Sequence, residues 1–217
     1  EFSATLDWSM KLICLIAVPA AIGLIVLAEP LITTIFYGGE FSQLDVELSA
    51  LSLQAFAIGL VGFSFVKILA PAYFAREDTK TPVRVGLIAL LVNLVLSVIF
   101  ALVLTRISFA GTHAGLALAI SIAALVNAWL LYRGLRREQL IKHSPGWVSM
   151  LTRFVIGNVA MTMSIVALNR PLDWWLEAAI SQRSGWLGIV VGTAAAVYFG
   201  VLLVVGVRPG HLSLNKR

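Results

Sequence analysis

Lys67 interrupts an apolar run, Pro71 breaks that run, and Arg76, Glu77, Asp78, Lys80, Thr81 and Pro82 follow closely. An ammonium at membrane depth costs from about 2.5 to more than 10 kcal/mol. Lys67 must therefore either snorkel along its four-carbon stem to lipid phosphates or face a water-filled cavity where it can meet an anion. The local sequence leaves both readings open. Glu77 and Asp78 are the only adjacent carboxylates, the arrangement that acid–base or metal chemistry at the interface would need. Arg76 and Lys80 beside them favour a salt-bridged turn instead.

Other polar residues sit at helical spacing within apolar stretches. Asn93 and Ser97 are four apart and share a face, as do Asn158 and Thr162, and Gly115, Ala119, Ala123 and Asn127 form a stripe of small residues ending in an amide. Such faces serve close helix approach and interhelical hydrogen bonds, or they line a polar cavity or ion site. Soluble-enzyme chemistry has little support: His113, His143 and His211 fall in three different connections, and there is no phosphate-binding glycine loop and no H-E-x-x-H. The lone Cys14 excludes a disulfide within the chain and reads as packing.

The elements that carry these residues follow from composition. The 217 residues are 59% hydrophobic and 12% charged, against roughly 45–50% and about 25% in soluble domains. An all-α integral membrane protein is expected, since helices satisfy their own backbone in hydrocarbon and the runs do not alternate as barrel strands would. Six transmembrane helices are predicted at 11–36, 49–73, 84–105, 112–132, 149–168 and 186–206. The first should bend at Pro19 and continue past Pro30 to Phe36. Between the second and third, Pro71 should bend the helix end, Arg76, Glu77, Asp78 and Lys80 should form a solvated ionic network, and Thr81 should cap a helix starting at Pro82.

Basic residues separate the two sides. Of the sixteen Lys and Arg, twelve fall on the side of the chain termini, Lys67 lies within a span, and only Arg106, Arg170 and Arg183 fall on the other side. The positive-inside rule puts both ends of the segment in the cytoplasm and the connection with Glu40, Asp45 and Glu47 outside. It also accounts for the net charge of +5 without nucleic acid. Trp174 and Trp175, amid Leu172, Leu176 and Ile180, read as an amphipathic anchor at the outer interface. The organisation expected is four helices over 1–132, a cytoplasmic linker over 133–148 ending in Pro145 and Gly146, and a final helix pair with a tail over 149–217. No cleavable signal pattern precedes the first span, and the chain reads as a fragment.

The stretch KILAPAYFAREDTKTPV resembles the signature of the MurJ (MviN) family of lipid II flippases, members of the multidrug/oligosaccharidyl-lipid/polysaccharide (MOP) exporter superfamily. LDWSMKLICLIAVPAAIGLIVLAEPLITTIFYGGEF is similar to that family's ninth helix and following loop. The resemblance implies helices nine to fourteen of a fourteen-helix, two-lobed bundle that moves lipid II, the undecaprenyl-pyrophosphate-linked peptidoglycan precursor, across the bacterial inner membrane by alternating access. It carries over the motif residues Lys67, Pro71, Arg76, Asp78, Lys80, Thr81 and Pro82, and Gly39 and Phe41 of an R-G-x-F motif whose arginine is Gly38 here. Tyr73 and Phe74 stand in swapped order.

The resemblance further implies a lipid-tail groove in the final pair and contact with the missing N-terminal helices and membrane lipids. It implies no cofactor and no enzymatic step, with coupling to Na+ or the proton-motive force. Asn93 and Ser97 match the family's sodium positions, with a serine where a carboxylate can occur. A flippase for another polyprenyl-linked glycan, a non-transporting interaction module and a membrane enzyme on polyprenyl phosphates remain as alternatives.

Overall fold

The computed structural model describes residues 2–106, 111–141 and 146–206. They form eight α-helices: α1 (Phe2–Val26), α2 (Ala28–Phe36), α3 (Gln43–Phe74), α4 (Lys80–Arg106), α5 (Thr112–Arg137), α6 (Trp147–Leu168), α7 (Leu172–Glu177) and α8 (Ile180–Val204). Six of them, all but α2 and α7, are long and apolar enough to cross a membrane. His143, His211 and the tail beyond residue 206 lie outside the described residues, whereas His113 is the second residue of α5.

Helix ends differ from the hydropathy-based expectation where local hydrogen bonding extends a helix past its apolar run. α1 begins at Phe2 rather than near residue 11, and α3 begins six residues before 49. Ser42 starts α3 with a capping box: its hydroxyl accepts from the Asp45 N–H while Asp45 accepts from the Ser42 N–H. At 32 residues, α3 is about 48 Å long, more than a bilayer's hydrocarbon requires. α5 runs through Arg137, so the stretch between α5 and α6 is 138–146, not 133–148.

The first span is interrupted at Leu27, not at Pro19, which lies within α1. The proline that matters is Pro30. It has no N–H to give the Val26 carbonyl, and the chain turns there before resuming with the Leu31 N–H on the Leu27 carbonyl at 2.9 Å.

α3 and α5 form the main pairing, and small residues set their distance. A Cβ on Gly59 would lie 2.6 Å from Ser121 Cα, and one on Gly62 would lie 2.8 Å from the backbone of Ala124 and Leu125. The Ser121 hydroxyl donates to the Ala55 carbonyl at 2.7 Å across this seam, and the buried Tyr73 hydroxyl donates to the Leu131 carbonyl at 2.9 Å. Gly115 turns the small stripe of α5 toward Phe100 and Leu104 of α4. The final pair α6 and α8 packs against α1 through Leu15, Phe154, Ile165, Val190 and Leu202, and the Tyr198 hydroxyl donates to the Leu15 carbonyl at 2.9 Å.

Candidate functional site

Lys67 opens onto a groove of about 430 Å³ between α3, α4 and α5, which Asn93 and Asn127 also line. Helix register brings the three together. Phe63 and Lys67 are one turn apart on α3, Gly86, Ala89, Leu90 and Asn93 share a face of α4, and Ile120, Ala123, Ala124 and Asn127 form the α5 floor. Lys67 is exposed and, like Asn127, has no side-chain hydrogen bond or ion pair among the described residues. Among the described residues, no acidic side chain lines the groove. It presents one ammonium and two amides against apolar walls, a set that suits an anion carrying hydrogen-bonding groups.

Ser97 donates its hydroxyl to Asn93 Oδ1 at 3.3 Å. The pair predicted as ion ligands thus satisfies itself within one helix face. The Asn158 hydrogen bond from Nδ2 to the Phe154 carbonyl and that from Thr162 to the Asn158 carbonyl are likewise local to α6.

The remaining motif residues lie elsewhere. Pro71 sits in the last turn of α3, Arg76 and Asp78 lie in the turn between α3 and α4, and Lys80, Thr81 and Pro82 are the first three residues of α4. The expected ionic network does not form. Arg76 pairs across to Glu138 at the end of α5, because Asp78 is turned to the backbone and accepts from the Thr81 N–H at 3.0 Å. Asp78, not Thr81, is therefore the residue that caps α4, and Pro82 is its third residue. Hydrogen bonds from the Thr81 side chain and then from its backbone N–H hold the Asp78 carboxyl below its ordinary pKa of 3.8.

Both partners of the Arg76–Glu138 clasp lie next to a left-handed residue, Glu77 at φ 60° and Gln139 at φ 57°. The matching Asp78-to-Tyr73 and Leu140-to-Leu135 backbone bonds close the two helix ends in the same way.

Gly39 and Phe41 lie at the far end of α3, in a tight turn where the Phe41 N–H donates to the Gly38 carbonyl at 3.1 Å. Gly38 has φ 146° and Gly39 φ 61°, conformations that favour glycine at both positions. An arginine at position 38 would be strained in this turn.

A buried arginine does act at this end, and it comes from α8. Arg183 is 7% exposed and donates to the carbonyls of Leu176 (2.6 Å), Thr33 (3.3 Å) and Tyr37 (3.4 Å), with its guanidinium 5.0 Å from the Tyr37 ring centroid. It ties the carboxyl ends of α2 and α7 to the start of α8, where helix-end carbonyls attract a cation. Trp175 is also fully buried and donates toward Asn169 Oδ1 and the Arg170 carbonyl. It is a core residue, not the interface anchor its sequence position suggested.

At the opposite end, Asp7 is buried, pairs with Lys11 at 2.8 Å and accepts from the Trp147 indole at 2.6 Å. The four-residue spacing of Asp7 and Lys11 was the available signal, but the partner on α6 was not visible in sequence.

These features define the class: a polytopic all-α membrane protein with a cation-bearing groove between three of its spans. A family model described as "Lipid II flippase MurJ" matches residues 1–177. The chain belongs to the MurJ lipid II flippase family. It is 39% identical to a MurJ protein of Vibrio cholerae over 95% of this chain and 38% of the relative, and 37% identical to one of Haemophilus influenzae over 98% and 40%. It is 35% identical to the lipid II flippase MurJ of Burkholderia cenocepacia over 96% of this chain and 39% of the relative. The chain thus spans about two-fifths of the curated relatives' length. A solved structure titled "Lipid II flippase MurJ, inward closed conformation" superposes with TM-score 0.70 at 21% identity, covering 94% of this chain and 38% of that one, so the fold is shared.

Proposed function

We propose that this chain forms the latter part of the second lobe, and the final helix pair, of an inner-membrane flippase for lipid II. Its helices contribute one wall of a path for the polar headgroup. The observation that carries this reading is the groove joining Lys67, Asn93 and Asn127, an exposed cation within a membrane-spanning helix that no carboxylate among the described residues neutralises. Such a site lowers the cost of taking a pyrophosphate and its sugars through hydrocarbon. The groove of about 370 Å³ that would take part of the polyprenyl tail lies between α1 and α6 instead of within the final pair alone, and its lining of Val18, Ile22, Val155, Val159 and Met163 also includes Asn158 and Thr162. No covalent step is required of any residue. The side bearing the Arg76–Glu138 clasp is the cytoplasmic one in this reading, in keeping with its basic excess.

Position distinguishes the two lysines of the motif: Lys67 faces the groove and Lys80 faces out from the turn. In the full-length protein, Lys67→Ala should fail to sustain growth of cells depleted of their own flippase, whereas Lys80→Ala should sustain it. Near-normal complementation by both, with normal membrane insertion, would favour an interaction module.

For coupling, Asn93 and Ser97 are our candidate sodium ligands, with the ion displacing the hydroxyl-to-amide bond. Joint replacement of both by alanine should abolish any sodium dependence. Sodium dependence that survives it would refute the assignment.

A further inference from the structure

We propose that Arg170 is a receptor for the phosphate of a lipid headgroup at the membrane face opposite the Arg76–Glu138 clasp. Its guanidinium carbon lies 4.5 Å from the Trp174 ring centroid and 4.3 Å from that of Trp186. Two indoles from different helices, α7 and α8, thus hold one cation. The rings are themselves fixed. Trp174 meets the buried Trp175 edge to face at 5.1 Å and Trp186 at 6.3 Å, and the Trp186 indole donates to the Leu168 carbonyl at 3.1 Å.

This clamp fixes the faces of the guanidinium and leaves its edges unused. Arg170 is exposed, and its side chain makes no hydrogen bond and no ion pair among the described residues. Asp173 and Glu177, the carboxylates nearest in sequence, do not pair with it. Arg183, the neighbouring arginine, differs on every count, being buried and bonded to three carbonyls. A planar fork of N–H donors with its rotamer already fixed matches the oxygens of a phosphate, and little conformational entropy remains to be lost on binding.

The surroundings say that the phosphate is borne on a lipid. Tryptophans at a helix end sit at headgroup depth. Val166, four residues before Arg170, is 63% exposed, and Ile189, three residues after Trp186, is 52% exposed. Apolar surface for an acyl or prenyl chain therefore runs from the clamp toward the membrane interior. The site stands whether or not the chain moves lipid II, because binding is read without transport.

The test uses the full-length protein in detergent and native mass spectrometry with three probes: phosphatidylglycerol, undecaprenyl diphosphate and inorganic phosphate. Arg170→Ala should weaken retention of at least one of the two lipids by about tenfold or more, and the lipid affected identifies the source of the phosphate. Arg170→Lys, which keeps the charge but loses the fork and much of the ring stacking, should also bind less than wild type. Thermal melting confirms that each variant is folded. Equal retention of both lipids by wild type and Arg170→Ala, equal binding by Arg170→Lys, or loss seen with inorganic phosphate alone would each overturn the proposal.

Discussion

Replacing Gly62 by alanine places a methyl group 2.8 Å from the backbone of Ala124 and Leu125, where no side-chain rotation can relieve the contact. Moving from 2.8 Å to the 3.4 Å at which ordinary contact begins requires a shift of about 0.6 Å between α3 and α5. Overpacking of this kind costs about 1–3 kcal/mol. A shift at this seam also stretches the 2.7 Å bond from Ser121 to the Ala55 carbonyl, worth about 0.6 kcal/mol in a membrane bundle. Alanine regains at most about 1 kcal/mol of helix propensity. The net expectation is a loss of about 0.5–2.5 kcal/mol. Gly192 on α8 is the control, since nothing lies within 4 Å of a Cβ there. Denaturation midpoints of the two purified variants, measured in the same detergent, decide the matter. Gly62→Ala matching Gly192→Ala in stability would refute the argument that this glycine sets the helix distance. Because Ala123, Ala124 and Asn127 floor the groove, the same change should also impair function while Gly192→Ala does not.

Three further outcomes follow from the geometry. Arg183→Lys should lower stability by about 1–3 kcal/mol, because an ammonium cannot reach the Leu176, Thr33 and Tyr37 carbonyls together; an unchanged midpoint would contradict the capping role. Asp78 has its pKa depressed in the fold, so its stabilisation is present above the ordinary 3.8 and is lost as pH falls through the lower folded value. Asp78→Asn should accordingly flatten the acid limb of the stability–pH curve. A double-mutant cycle on Arg76 and Glu138, whose side chains are 41% and 44% exposed, should give a coupling of about 0.2–1 kcal/mol that shrinks with added salt.

Hydropathy made the six spans legible because a membrane demands length and apolarity, which can be counted residue by residue. It could not read the polar extensions. The start of α3 depended on Ser42 and Asp45, a capping box visible in sequence but outside the apolar run. The turn after Pro71 is legible in sequence but its bonds are not, since the partner of Arg76 is 62 residues away at Glu138. Trp175 and Arg183 show the same limit in both directions. A tryptophan predicted at the interface is buried, and an arginine counted only as outer-side charge is a buried tie between three helices. The gathering of Lys67, Asn93 and Asn127 required the packing of α4 and α5, although each residue was conspicuous on its own helix.

The most direct test joins this chain to the N-terminal eight helices of a known lipid II flippase and measures the fraction of lipid II exposed on the outer face of cells depleted of their own flippase. Exposure near the level of the intact flippase is expected, with a steep fall for Lys67→Ala and little change for Lys80→Ala. An inserted, stable chimera that exposes no lipid II, or one indifferent to Lys67, would contradict the proposed function.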